Sequence, residues 1–134
     1  MAIWLAFLLA TALRPSPAIA GRYVAVTETE YAIELRLKPS GGARLEFRTW
    51  EADDPEHPTV WRFAGSWSWS GKNIAVRFTS GQSATFTPVV CFSYKELAQQ
   101  GCSPGLRLVT TTFPKRYGLQ RFGLWRADGL RGQL

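Results

Sequence analysis

The chain has 134 residues and carries 16 Lys and Arg against 10 Asp and Glu, with two cysteines, one histidine, six tryptophans and eight phenylalanines. A chain this long forms one domain with a modest core and excludes a multidomain machine. The single histidine leaves few arrangements for Ser/His or Cys/His nucleophilic catalysis, and the G-x-S-x-G elbow does not occur.

Residues 3–13 are apolar apart from one threonine, and Arg14-Pro15-Ser16-Pro17 separates them from Ala18-Ile19-Ala20-Gly21. The run is too short to span a bilayer and has the length of a secretory core, so it reads as an export signal over residues 1–20. The mature domain is then residues 21–134, working in the periplasm or outside the cell. Ala10-Thr11-Ala12 offers a second cleavage site, and the N-terminal region lacks the usual Lys or Arg. No cysteine follows the apolar run, so lipoprotein-type lipidation is not expected.

Beyond Gly21 the apolar residues alternate with polar ones and turn residues recur about every ten positions, which predicts an all-β sandwich or barrel. Tyr23–Thr29 is the first expected strand, with Val24 and Val26 inward. Ile33, Leu35 and Leu37 alternate with Glu34, Arg36 and Lys38. After the turn Pro39-Ser40-Gly41-Gly42, Leu45 and Phe47 alternate with Arg44, Glu46 and Arg48. The pattern is a hairpin with one wet face. A Pro-rich acidic loop follows, containing Glu51, Asp53, Asp54, Glu56 and His57. It supplies hard ligands in sequence but lacks the order and glycine of a calcium loop, so no metal site is expected.

Residues 60–70 show the sharpest alternation. Trp61, Phe63, Gly65, Trp67 and Trp69 share one parity, while Arg62, Ser66, Ser68 and Ser70 share the other. Gly65 marks a place where a closed sheet must bend. Ile74, Val76 and Phe78 continue the inward face after a turn, and further strands are expected over Gln82–Phe92, with Phe86, Val90 and Phe92 inward, Leu106–Phe113 and Leu119–Arg126. Cys91 and Cys102 enclose a segment that reads as a short helix near residues 93–100, and in an oxidising compartment the pair is most simply a disulfide. About eight antiparallel strands suffice to close a barrel whose interior is filled or holds one small ligand.

The stretch Gly65-Ser66-Trp67-Ser68-Trp69-Ser70-Gly71-Lys72-Asn73-Ile74-Ala75-Val76 is similar to the G-x-W … G … I-x-L hairpin of small exported lipocalin-like barrels, of the type found in the N-terminal domain of the envelope lipoprotein NlpE. The resemblance covers residues 21–90 and implies a lipocalin-like barrel. The CxxC and lipid-bearing cysteine of that domain have no counterpart here, so copper handling and stress signalling are not implied.

The charge is uneven. Residues 21–60 hold five basic and eight acidic side chains, residues 61–134 ten basic and two acidic. Lys115–Arg126 interleaves basic and aromatic residues, but export makes nucleic acid an unsuitable target, and a solvated basic strand explains the pattern. Aromatic and Arg residues exposed together make interface anchors. On that ground Trp50, Tyr94, Tyr117, Arg121, Trp125 and Arg126 are the candidate binding residues. The expectation is a non-catalytic binding protein of the bacterial envelope without a cofactor, acting on a protein partner as an interaction or inhibitor module. The alternative is carriage of a small apolar ligand or lipid inside the barrel.

Overall fold

The computed structural model describes residues 18–26, 30–92, 103–121 and 123–127. The apolar run of residues 3–13, the expected helix near residues 93–100, Tyr94, Cys102 and Phe122 lie outside these residues, as do the side chains of Cys91 and Phe92. Eight strands follow one another: β1 (Gly21–Val26), β2 (Tyr31–Leu37), β3 (Gly42–Glu51), β4 (Asp54–Trp69), β5 (Ile74–Phe78), β6 (Ser83–Phe92), β7 (Ser103–Thr111) and β8 (Leu124–Arg126). Each pairs antiparallel with the next, and β1 also pairs with β8, so the sheet closes into a barrel in simple up-and-down order. Closure gives the first and last strands, β1 and β8, a partner on each side.

Alternation sets the inside. Ile33, Leu35 and Leu37 on β2 lie in register with Phe47, Leu45 and Ala43 on β3, and all are buried. Ile74, Val76 and Phe78 on β5 obey the same period. Burying this continuous apolar face drives the sheet to curl on itself, while the alternate residues stay in water. Gly65 sits within the inward row of β4 opposite Phe78. A Cβ there would fall 1.9 Å from the Arg77 carbonyl oxygen. The register runs through Gly65 without a shift, so its role is close approach of the β4 and β5 backbones rather than a bulge.

Several expectations are corrected. On β1 the interior belongs to Tyr23 and Ala25, which pair with Leu35 and Ile33, whereas Val24 pairs with Glu34 on the outer parity; the side chain of Val26 lies outside the described residues. Val90 stands 87% exposed because β6 carries two irregularities, one between Thr85 and Phe86 and one between Val89 and Phe92, and these break the simple alternation. The acidic segment is less a loop than the projecting end of the β3–β4 hairpin: β4 starts at Asp54 and residues 51–57 are all exposed. The last strand is three residues long instead of eight. Lys115–Tyr117 is a single 3₁₀ turn closed by Gly118 at φ +76°, and residues 119–121 continue as a turn.

Candidate functional site

The two ends of the barrel are closed differently. At the end where β3 meets β4 and β7 finishes, the connection after β7 folds over the opening. Phe113 and Tyr117 drop into it, and Leu119 is fully buried behind them. The Tyr117 ring centre lies 4.8 Å from Phe47 and 5.8 Å from Phe63, and the Phe113 ring is 4.9 Å from Phe63 and 5.3 Å from Phe78, mostly edge to face. These are the separations at which aromatic pairs attract beyond their area burial. The Gln120 side-chain amide donates to the Phe113 carbonyl at 2.9 Å and holds the connection shut. Gly118 is needed for this path: its φ is left-handed and a Cβ would meet the Tyr31 hydroxyl at 2.7 Å. Burial pushes the Tyr31 phenol above its ordinary range, and the nearby Arg121 charge only partly offsets that.

At the opposite end the Trp67 indole donates to the Lys38 carbonyl at 2.8 Å and the Tyr23 hydroxyl donates to the Ile19 carbonyl at 2.6 Å. Arg126 donates to the carbonyls of Ala18 and, at 2.7 Å, Ala20, with its guanidinium 5.9 Å from the centre of the Tyr23 ring. Ala18–Ala20 thereby forms part of the closure, and a cut between Ala20 and Gly21 would remove three of these acceptors.

Of the six residues expected from sequence, the five that are described do not form one site. Trp125 is 3% exposed, set in register between Val24 on β1 and Gly105 on β7, both also buried, so its reading as an exposed anchor is corrected. Tyr117 is buried as the plug, so its reading as an exposed anchor is corrected as well. Arg126 is half-buried and engaged at the far end. Trp50 is half-buried, its backbone N–H donating to the Glu30 carbonyl at 3.2 Å, and Arg121 is exposed near Tyr31. These two lie at the plugged end. A residue assigned to the core joins them there: Trp61 is on the inward parity of β4 but 39% exposed, because β4 runs past the rim, and its indole meets the Tyr117 ring at 5.8 Å, edge to face. The Arg116 guanidinium lies over the Tyr117 ring, 5.1 Å from its centre. The length of β4, which alternation alone does not reveal, is what brings Trp61 out.

The outer wall of β1 to β4 carries the strongest charge pattern. Glu34 receives Arg36 at 2.8 Å and Arg22 at 3.1 Å; Glu46 receives Arg48 at 2.8 Å and Arg62 at 3.3 Å. Partial burial raises the Glu34 carboxyl, but hydrogen bonds and charge from Arg36 and Arg22 outweigh it and hold the group below its ordinary value. A groove of about 560 Å³ runs along this wall. The outward parity of Arg36, Lys38, Arg44, Glu46 and Arg48 was readable from alternation, but their alignment across strands was not.

Among the described residues no cluster of three or more His, Cys, Asp or Glu side chains is placed to hold a metal ion, and no helix is long and apolar enough to cross a membrane. His57 pairs with Asp54 at 2.7 Å on the exposed hairpin. No protein-family model, no curated protein and no solved structure matches this chain at significant similarity.

Proposed function

We propose that the protein is a non-catalytic binding module of the bacterial envelope that engages a protein partner through the plugged end of its barrel. The observation that carries this reading is the stopper: Phe113 and Tyr117 occupy the barrel mouth, in ring contact with Phe47, Phe63 and Phe78. A carrier needs that volume for its ligand. With the mouth filled, recognition falls to the rim, where Trp61, Trp50, Arg116 and Arg121 supply the residue types that dominate protein interfaces. The projecting β3–β4 hairpin extends the same end with the acidic side chains of Glu51, Asp53, Asp54 and Glu56, suited to a partner with a basic face. The short apolar leader and the even cysteine pair support an exported address.

The test is to purify the protein from its native host and identify by mass spectrometry what accompanies it. One protein in stoichiometric amount, lost on Trp61→Ala while the fold survives, is the expected result. A stoichiometric lipid or other apolar molecule, retained by Trp61→Ala, would overturn the reading in favour of carriage.

A further inference from the structure

Across three neighbouring strands, Arg22 on β1 stands directly opposite Arg36 on β2, and Arg36 stands directly opposite Arg44 on β3. Like charges facing each other across an antiparallel pair destabilise a sheet, so two such juxtapositions in one row require an explanation. Glu34, two residues along β2, relieves one of them by holding both Arg22 and Arg36. It does not reach the other. Among the described residues no carboxylate lies within ion-pair distance of Arg44 or of Lys38, which stands two residues beyond Arg36 at the β2–β3 turn. The groove above this row is lined by five basic side chains, Arg36, Lys38, Arg44, Arg48 and Arg62, against the carboxylates of Glu34 and Glu46.

We propose that this groove is an anion site that takes a soluble ligand carrying two or more phosphate groups. Within the groove Arg36 and Arg44 are one strand spacing apart, about 4.8 Å, so one phosphate can lie between them while Lys38, two residues beyond Arg36 on β2, meets the next. Glu34 pre-orients Arg36 and Arg22, while Arg44 and Lys38 remain available to close on the ligand. The lining chemistry separates phosphate from its competitors. A bilayer would need exposed apolar anchors beside the basic residues, and the exposed large apolar side chains Trp61, Val90 and Val109 do not line the groove. Nucleic-acid bases would need an open aromatic face, whereas Phe63, the aromatic residue that lines the groove, is committed to rings in the interior. An extended acidic peptide would need a strand edge for its backbone, whereas the β2 and β3 residues that line the groove, Glu34, Arg36, Arg44, Glu46 and Arg48, are paired with a strand on each side.

This site is separate from the rim at Trp61, and its test does not involve the protein partner. Sodium tripolyphosphate is titrated calorimetrically into the full protein and into Arg44→Thr, with Arg77→Thr on the outer face of β5 as a variant of equal charge loss outside the groove. The expected result is saturable binding to the wild type, weakened about tenfold or more by Arg44→Thr and unchanged by Arg77→Thr. Without ligand, Arg44→Thr is expected to melt about 1–3 °C higher than wild type, because it removes a like-charge pair. Binding that both variants weaken equally, heat no greater than sodium chloride of equal ionic strength gives, or association with phosphatidylglycerol vesicles but not with tripolyphosphate would each overturn the proposal. Self-association that Arg44→Thr abolishes would also overturn it, assigning the groove to the acidic hairpin of a second copy. None of these failures bears on whether the barrel mouth is filled.

Discussion

The wall formed by β2, β3 and β4 and the seam where β7, β8 and β1 close the barrel obtain their stability in different ways. In the wall, seven consecutive residues of β2 pair with β3 without a shift, and inward Ile33, Leu35, Leu45 and Phe47 are buried while the charged residues between them meet water. The seam is three residues of β8, joined to β1 at two positions and to β7 at two. So short a ladder contributes few hydrogen bonds, and the closure relies on side chains: Tyr117 and Phe113 across one mouth, Arg126 and Tyr23 across the other. A regular sheet is thus specified by repetition and tolerates single changes, whereas its closure rests on a few residues that cannot be exchanged.

Breaking the seam should cost most at the plug. Tyr117→Ala removes a buried ring from the centre of the aromatic cluster and is expected to destabilise by about 3–4 kcal/mol, read as a lower urea midpoint, together with new binding of an apolar dye at the opened mouth. Arg126→Ala at the other mouth is expected to cost about 1–2 kcal/mol in a chain that retains Ala18–Ala20, and clearly less in one that begins at Gly21, since the carbonyl acceptors are then gone.

On the wall the effect is smaller. Glu34→Gln is expected to cost less than about 1 kcal/mol, because the Arg22–Glu34–Arg36 network is partly exposed and screened by water. Its signature is pH dependence. The folded-state carboxyl lies below its ordinary value of 4.5, so the unfolded chain binds the proton first as pH falls. The stabilisation is therefore complete above that value and is lost as pH drops through the folded-state value. Melting curves of the wild type and Glu34→Gln should converge on acidification, and a constant gap between them down to low pH would contradict the assignment.

The same contrast explains what the sequence discloses. Alternation in residues 33–48 and 74–78 needs only the period of a strand with one buried face, and the all-β barrel of about eight strands follows from it. The errors gather elsewhere. Val24 is more apolar than Tyr23, yet the interior takes Tyr23 and Ala25 because register with Leu35 and Ile33 decides the face, and register is a property of two strands. Leu119–Arg126 has strand-like composition, but closing the mouth demands a turn at Gly118 and leaves three residues to pair. Val90 is misread where irregularities in β6 interrupt the period. For the candidate sites, the types were legible and the placement was not. Trp125 and Tyr117 have the composition of interface anchors, but one is enclosed between β1 and β7 and the other fills the mouth. Trp61, which reads as core, reaches solvent because β4 continues past the rim. The arginine row is invisible along one strand and emerges only when three strands are laid side by side.

Proton NMR of the purified protein tests the filled mouth most directly, through nuclear Overhauser contacts from the Tyr117 ring. Contacts from that ring to Phe47, Phe63 and Trp61, with the aromatic protons shifted by their neighbours, are the predicted result. A Tyr117 ring without those contacts, together with resonances of a bound apolar molecule touching Phe47 or Phe63, would show a hollow barrel and contradict the account.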